Sequence, residues 1–253
     1  MQIHHQSKGY HTGAADYVAG RPGYPPEAVT WLREALGLAA GRKALEVGAG
    51  TGKFIPTLQQ MGCEVLALEP IAEMREQLVR AYPGVTALAG SADNIPLPDA
   101  SVDAIVCAQA FHWFATPQAV AEMRRVLMPD GVLGLIWNGR DETVPWVAAL
   151  SEITDRYEGD TPRYVTGAWR NAFPAPGLEF LGEQHVRNFH VGTAEQVVLK
   201  RTLSVSFIAG LHADKRAEVE RDVLGLIQQT PELAGEKEVA FPYLTSMYAY
   251  RKT

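Results

Sequence analysis

The chain has few cysteines and no concentration of positive charge. Its 253 residues include only 2 cysteines, Cys63 and Cys107, which is too few for a disulfide framework or a cysteine-rich zinc site. We expect both to lie in buried strands. The formal net charge is −6, from 29 acidic and 23 basic residues, and basic pairs such as Arg124-Arg125 stay isolated. Nucleic acids and anionic membrane surfaces are therefore disfavoured as partners.

Long apolar runs are missing as well. Residues 1–20 carry lysine, histidine and aspartate without the apolar segment that a secretory signal needs. The stretch from Ala104 to Ala121 has no charged side chain, but Gln109, His112 and Pro117 interrupt it. We therefore expect a cytoplasmic protein without a transmembrane helix.

From Lys43 onward the chain alternates short aliphatic runs with longer amphipathic stretches. This alternation is typical of a parallel sheet flanked by helices, so the predicted fold class is α/β. The predicted strands span residues 44–47, 64–68, 85–89, 103–107, 132–137, 180–191 and 238–250. The predicted helices span residues 26–36, 52–61, 71–82, 117–127, 143–157, 194–209 and 213–229.

The most informative segment is a strand that runs into a glycine loop. Leu45-Glu46-Val47 is followed by Gly48, Gly50 and Gly52, with Lys53 next. Glycine permits a positive φ in a tight turn and lets the backbone approach a ligand at the start of the following helix. A dinucleotide-binding loop would place a third glycine or alanine where Lys53 stands, so the spacing favours a smaller ligand.

Acidic residues end the second and third predicted strands. At the end of the second strand, the Glu69 carboxylate can accept hydrogen bonds from both hydroxyls of a ribose. After the third strand comes Gly90-Ser91-Ala92-Asp93, which places Asp93 where it can accept a hydrogen bond from an adenine amino group. A ribose acid alone suits a nicotinamide cofactor equally well. Two acids at consecutive strand ends favour S-adenosylmethionine.

Together these residues resemble the class I S-adenosylmethionine-dependent methyltransferases, and specifically their small-molecule branch of type 11 and trans-aconitate methyltransferase-like proteins. Glu46-x-Gly48-x-Gly50-x-Gly52 matches the first motif of that family, Glu69 its ribose acid and Ser91-Ala92-Asp93 its adenine contact. Three further segments are similar to this branch: residues 95–103, Gln109-Ala110-Phe111-His112-Trp113-Phe114, and Tyr17-x-x-x-Arg21-Pro22-x-Tyr24-Pro25. The resemblance covers nearly the whole chain.

The resemblance implies an architecture. We expect a Rossmann-like, seven-stranded, mostly parallel sheet with helices on both faces and a small, mainly helical cap. The chain would form a single methyltransferase domain over residues 1–253. Within it we expect an N-terminal lid (1–25), a cofactor-binding core (26–140) and C-terminal strands (141–253) with cap insertions at about 159–177 and 193–229.

The resemblance also implies site residues. Those expected to bind S-adenosylmethionine are Tyr17, Arg21, Glu46, Gly48, Ala49, Gly50, Thr51, Gly52, Glu69, Pro70, Ser91, Ala92, Asp93, Gln109 and Ala110. Those expected to bind a small-molecule methyl acceptor are Tyr24, Phe111, His112, Trp113 and Arg140. No metal is required, and the sequence does not specify the oligomeric state.

Methyl transfer mainly needs a protein to align the nucleophile with the methyl group and to exclude water. A carboxylate acceptor is already ionised at neutral pH, whereas a hydroxyl or a carbon acid needs a general base. His112 is the candidate catalytic base, but we favour a packing role or a hydrogen bond to the acceptor over base catalysis. We favour a carboxylate acceptor, with Arg21 and Arg140 as possible anion contacts.

Two other functions remain open at this stage. A nicotinamide-dependent oxidoreductase shares the glycine loop and the acid of the second strand, but we expect no Tyr-x-x-x-Lys pair of the short-chain dehydrogenase type. A non-catalytic protein could retain the cofactor site without an acceptor pocket. The absence of an Asn-Pro-Pro-Tyr or Asp-Pro-Pro-Tyr run after the fourth strand argues against methylation of amino groups on bases or glutamine.

Overall fold

The computed structural model describes residues 21–253. Within them, one seven-stranded sheet has the strand order β3-β2-β1-β4-β5-β7-β6. The strands are β1 Lys43–Val47, β2 Glu64–Leu68, β3 Thr86–Leu88, β4 Val102–Ala108, β5 Leu127–Arg140, β6 Leu178–Gly192 and β7 Val239–Lys252. The first five pair in parallel, and β7 pairs antiparallel with both β5 and β6. The predicted mostly parallel, Rossmann-like sheet is confirmed.

Except over residues 194–209, the helices follow the predicted positions with shifted ends. They are α1 Pro26–Glu34, α2 Ile55–Gln59, α3 Ala72–Ala81, α4 Pro117–Val126, α5 Pro145–Asp155, α6 Arg201–Leu203, α7 Ser206–Ala209 and α8 Ala213–Gln229. A π-helix occupies Glu195–Lys200, and 3-10 helices occupy Phe111–Trp113 and Ala168–Ala172. No helix among these is both long enough and apolar enough to cross a membrane.

Local sequence explains where the helices begin and what they bury. Pro26 starts α1, because a first-turn proline needs no intrahelical N–H bond. That helix buries Trp31 and Leu32 in an apolar cluster on one face of the sheet. A second cluster covers the other face. A third lies among α5, the π-helix and α8, and reaches β7 through Phe241, so the second expected cap segment packs against α5 and β7.

Three predictions need correction. Residues 194–209 do not form one helix, because a π-turn and a break near Ser204 divide them. The helix predicted from Gly52 begins only at Ile55, since the glycine loop continues into turns. Cys63 is partly buried and precedes β2, outside the strand in which it was expected, whereas Cys107 is buried in β4 as predicted.

Candidate active site

A cavity of about 220 Å³ opens at the carboxyl ends of β1 and β4, and the loops after β2 and β3 also line it. The strand order reverses between these two strands, and open α/β sheets bind ligands at such a switch point. The predicted cofactor residues that line it are Arg21, Glu46, Gly48, Ala49, Gly50, Thr51, Glu69, Pro70, Ser91, Ala92, Gln109 and Ala110. Tyr17 lies outside the described residues.

The three glycines of the loop all have positive φ, but they serve different purposes. A Cβ on Gly48 would stand 2.7 Å from the Ala110 Cβ, and one on Gly52 would stand 2.8 Å from the Tyr82 ring. These two positions allow close packing of the loop. A Cβ on Gly50 would meet no atom within 4 Å, because that residue faces the cavity. Gly52 does not line the cavity.

Glu69 is anchored by the backbone around it. Its Oε2 accepts a hydrogen bond from the Gly50 N–H at 2.8 Å, and its Oε1 accepts one from the Ile71 N–H at 2.9 Å. Burial raises the pKa of this carboxyl, and the two N–H groups oppose that rise. A carboxylate has about four lone-pair sites, so the anchored oxygens can still accept hydrogen bonds from ribose hydroxyls.

Glu46 lies at the end of β1 and is only 1% exposed. Its Oε2 has no hydrogen-bond partner within residues 21–253. Burial, followed by the nearby Glu69 charge, raises the pKa of the Glu46 carboxyl well above its usual value. Since a buried acceptor without a partner is costly, this oxygen fits a ligand that brings a donor. The ammonium group of S-adenosylmethionine is such a donor.

The loop after β3 contributes Gly90, Ser91 and Ala92 to the cavity. Asp93 does not line it. Its Oδ1 accepts a hydrogen bond from the Ser91 hydroxyl at 2.5 Å, which lowers the pKa of the Asp93 carboxyl. The adenine contact assigned to Asp93 stays a prediction, and it would require this carboxylate to turn toward the cavity.

A second cavity, of about 130 Å³, adjoins the first and is lined partly by the cap. Its lining includes four arginines that come from four different segments: Arg21, Arg140, Arg163 and Arg201. The two cavities share six lining residues, which are Arg21, Gln109, His112, Trp113, Asn138 and Arg201. A molecule in the second cavity would therefore lie directly beside a cofactor in the first.

The arginines of the second cavity are not equally neutralised. Arg163 is paired with Asp155 at 2.7 Å and also with Glu158. Arg140 donates to two uncharged groups, the hydroxyls of Ser151 at 3.2 Å and Thr154 at 3.1 Å. Burial, Arg201 and Arg163 lower the pKa of Arg140 to about 10, which leaves this guanidinium charged at neutral pH.

Lys53, which follows the glycine loop, adds to the positive charge of the first cavity. Its Nζ donates to the carbonyl of Arg21. Burial, together with the charges of Arg21 and Arg201, lowers the pKa of Lys53 to about 8. Arg21, Lys53 and Arg201 thus place three cationic side chains in the lining of the first cavity.

His112 stands between the two cavities, in the 3-10 helix after β4. Its Nδ1 accepts a hydrogen bond from the Trp137 indole Nε1–H at 3.0 Å. Burial, helped by the charges of Arg21 and Arg163, lowers the pKa of His112 to about 3. The imidazole is therefore neutral at physiological pH.

Two residues expected to bind the acceptor have other roles. Phe111 lines neither cavity. It is fully buried and contacts the rings of Phe114, Trp169 and Phe173 at centroid distances of 5.8, 6.3 and 5.7 Å, so its assignment to the acceptor was wrong. Tyr24 lines the first cavity and packs edge-on against Phe54. By contrast, His112, Trp113 and Arg140 all line the second cavity.

Sequence reasoning missed several residues of the site. Arg163 lies between α5 and β6 and Arg201 begins α6, while Asn138 and Tyr243 come from β5 and β7. The Tyr243 hydroxyl is buried and has no hydrogen-bond partner among residues 21–253. None of these residues lies in a local motif. The π-helix before Arg201 has no simple sequence signal either, although such turns often mark functional sites.

The expectation that the chain has no Tyr-x-x-x-Lys pair of the dehydrogenase type was wrong. Tyr248 and Lys252 do have Tyr-x-x-x-Lys spacing. However, both lie on the extended strand β7, where Tyr248 is 2% exposed and the Lys252 Nζ donates to the Leu127 carbonyl. They line neither cavity, so they do not form a dehydrogenase site.

The described residues contain no group of three or more histidine, cysteine or acidic side chains that could hold a metal ion. The fold and the cavity residues define instead the class I S-adenosylmethionine-dependent methyltransferases. In that class the glycine loop, Glu46 and Glu69 would hold the cofactor.

Comparisons with known proteins agree. A family model described as a methyltransferase domain matches residues 45–135. An uncharacterised methyltransferase-like protein of Schizosaccharomyces pombe is 37% identical over 97% of this chain and 96% of its own length. An uncharacterised methyltransferase of Mycobacterium tuberculosis is 40% identical over 90% of this chain and 89% of its own length. A solved structure assigned to a type II methyltransferase of Anaeromyxobacter dehalogenans has a TM-score of 0.68 at 25% identity, covering 91% of this chain and 97% of that one.

The chain belongs to this methyltransferase family. It is an enzyme that uses S-adenosylmethionine as its cofactor.

Proposed function

We propose that the enzyme methylates a small-molecule carboxylate. The observation that carries this proposal is the second cavity, where Arg140 stays charged while its hydrogen bonds go to the neutral hydroxyls of Ser151 and Thr154. A guanidinium placed in this way favours an anionic ligand. Arg163 lines the same cavity but is paired with Asp155 and Glu158, so the proposal rests on Arg140.

The size of the cavity supports a small acceptor. At about 130 Å³, it suits a metabolite of a few carbon atoms better than a segment of protein or nucleic acid. The formal net charge of −6 also disfavours a nucleic-acid substrate. We include in the proposal that neither nucleic acid nor a membrane is a partner.

Bound S-adenosylmethionine supplies an electrophilic methyl group on a sulfonium. The residues of this chain then have three tasks. Arg140 and Arg201 attract the acceptor anion, Trp113 and Asn138 at the junction of the cavities limit its orientation, and the cap keeps out water. Alignment and water exclusion account for much of the rate enhancement in reactions of this type.

The state of His112 also favours a carboxylate acceptor. An imidazole whose pKa has fallen to about 3 is a poor proton acceptor, since general bases work best with a pKa near the operating pH. A carboxylate needs no base, because its usual pKa of about 4 leaves it ionised at neutral pH. A hydroxyl acceptor would need one.

The proposal can be tested with a panel of short mono-, di- and tricarboxylic acids, each incubated with enzyme and S-adenosylmethionine. We expect a methyl ester, detected by mass spectrometry and by release of methanol under mild alkali. Matched alcohols and amines that lack a carboxylate serve as controls. Alkali-stable methylation of those controls, with no ester from any acid, would refute the proposal.

A further inference from the structure

We infer that Trp137 holds His112 as a neutral imidazole whose Nε2–H donates a hydrogen bond to the acceptor, so that His112 positions the acceptor and does not act as a base. This inference rests on the proposed function for the identity of the acceptor. It concerns the protonation site of one side chain, which can be observed without any acceptor.

The first step in the argument is the direction of the hydrogen bond. An indole nitrogen can only donate, so the 3.0 Å contact from Trp137 Nε1 requires a lone pair on His112 Nδ1. A neutral imidazole with a lone pair on Nδ1 must carry its proton on Nε2. The hydrogen bond therefore determines the tautomer as well as the ring orientation.

The second step is the rigidity of Trp137. Its side chain is 1% exposed and lies between aromatic rings from other elements. The Tyr164 ring stacks on it at 4.7 Å, the Trp169 ring lies at 4.9 Å, and the Tyr248 ring meets it edge-on at 5.9 Å. Tyr164 and Trp169 belong to the first cap insertion, so the cap holds the residue that orients His112.

The third step concerns the charges around His112. Arg21 from the N-terminal segment and Arg163 from the cap both disfavour a second proton on the ring. Arg140 and Arg201 add positive charge to the cavity that His112 lines, and Glu142 is the acidic residue of the same lining. Because an imidazolium would form among these cations, accepting a proton from the acceptor is unfavourable.

The consequence is a defined polar contact at the junction of the two cavities. Since His112 lines both cavities, the Nε2–H is the group that it can offer to a ligand there. A neutral donor suits an oxygen that already carries negative charge. It gives no proton-transfer route to a hydroxyl acceptor.

The test is nitrogen NMR on enzyme labelled with ¹⁵N in its histidine rings. The chain has 7 histidines, and loss of signals in His112→Gln assigns those of His112. We expect an unprotonated Nδ1, a protonated Nε2 and no titration of this ring between about pH 5 and 8, where an ordinary histidine titrates. A proton on Nδ1, or a titration near the usual value, would overturn the inference while leaving the proposed function intact.

Two matched variants separate a positioning role from general packing. Trp137→Phe removes the indole donor, whereas Trp169→Phe alters the same aromatic stack but leaves the His112 hydrogen bond in place. We expect Trp137→Phe to produce a mixture of tautomers and a raised His112 pKa, because a hydrogen bond to the neutral ring is lost. Trp169→Phe should keep the wild-type spectrum. An unchanged His112 spectrum in folded Trp137→Phe would also refute the inference, and if that variant does not fold, the wild-type spectrum decides alone.

Discussion

Glu69 and Glu46 are both buried carboxylates beside the glycine loop, but their hydrogen bonding differs. Glu69 is held by two backbone N–H groups, whereas Glu46 has an oxygen without a partner among the described residues. Glu69 thus also organises the loop, whereas we expect Glu46 to gain a hydrogen bond when a ligand binds. Substitutions at the two positions should have different effects.

For Glu69→Ala, we expect S-adenosylmethionine binding to weaken by about 1.5–3 kcal/mol, because a charged acceptor of hydrogen bonds is removed from a buried site. Calorimetric titration measures this loss. Glu76→Ala is the control, since Glu76 is exposed and pairs only with Arg80 among the described residues. Equal affinities for the two variants would remove Glu69 from the binding site.

Arg140 is expected to act on the acceptor alone, because it lines the second cavity and not the first. Replacing it by methionine should raise the acceptor KM by roughly 10- to 150-fold, the equivalent of one hydrogen bond to a charged group at about 1.5–3 kcal/mol. The dissociation constant of S-adenosylmethionine should stay within about twofold. Arg251→Met, at an exposed position that pairs with Glu179, controls for loss of charge. If Arg140→Met weakened S-adenosylmethionine binding and left the acceptor KM unchanged, the assignment of Arg140 to the acceptor would be contradicted.

The role of His112 can be tested by replacing it with glutamine or with asparagine, whose side-chain amides extend to different distances from the backbone. In His112→Gln, the amide N–H takes roughly the place of Nε2, whereas in His112→Asn it reaches only the Nδ1 position. With the carboxylate acceptor proposed above, we expect Gln to lower turnover modestly and Asn to lower it about tenfold further. If His112 were a base, both variants would lose about 10²–10⁴ in rate, together with the low-pH limb of the profile.

At the scale of elements, the glycine loop shows how a contiguous motif can be interpreted before a structure is known. Gly48, Gly50 and Glu69 line one cavity, as expected from their positions at strand ends, which local sequence reveals; their cofactor contacts stay a prediction. The acceptor side was different. Arg163 and Arg201 line one cavity with Arg140 although they lie more than 20 residues apart in the sequence, and such long-range packing leaves no local motif. The buried Phe111 was misassigned for a related reason, since an aromatic next to a strand end can face the core or the ligand.

The loop also allows a test of steric roles within one element. Gly50→Val should abolish S-adenosylmethionine binding, because its side chain would enter the cavity where a Cβ meets nothing within 4 Å. Thermal stability should fall modestly, by the cost of a non-glycine residue at φ +58, about 1–3 kcal/mol.

Gly48→Ala is the matched comparison. Its Cβ would stand 2.7 Å from the Ala110 Cβ, so this small substitution should destabilise the protein more than Gly50→Val does. Differential scanning calorimetry and binding titration together measure both effects. The opposite ranking of the two unfolding temperatures would show that the loop and the segment after β4 are not packed as described.

At the scale of the whole molecule, binding and stability are coupled through Glu46. The pKa of this carboxyl is raised in the folded protein, so the folded state retains a proton that the unfolded state has released. The stability contribution of the protonated group is complete below the unfolded value of about 4.5. It is lost as the pH rises toward the folded pKa. A ligand ammonium group beside Glu46 would lower the pKa of its carboxyl again, because a neighbouring positive charge favours the ionised form.

Glu46→Gln should therefore change the stability of the free enzyme and its affinity for S-adenosylmethionine in opposite directions. Without cofactor, the variant should have a higher free energy of unfolding and a higher Tm than wild type at about pH 8, because the wild-type carboxyl is ionised or strained toward ionisation there. The advantage should shrink toward pH 5, because the wild-type carboxyl regains its proton. S-adenosylmethionine should bind the variant about 1.5–3 kcal/mol more weakly. Calorimetry in two buffers of different ionisation enthalpy should show proton release on binding to wild type, with less release for Glu46→Gln.

The control is Glu76→Gln, which should match wild type in stability, cofactor affinity and proton release. If Glu46→Gln were less stable than wild type at all pH values, the Glu46 oxygen that lacks a hydrogen-bond partner would not lower the stability of the free enzyme.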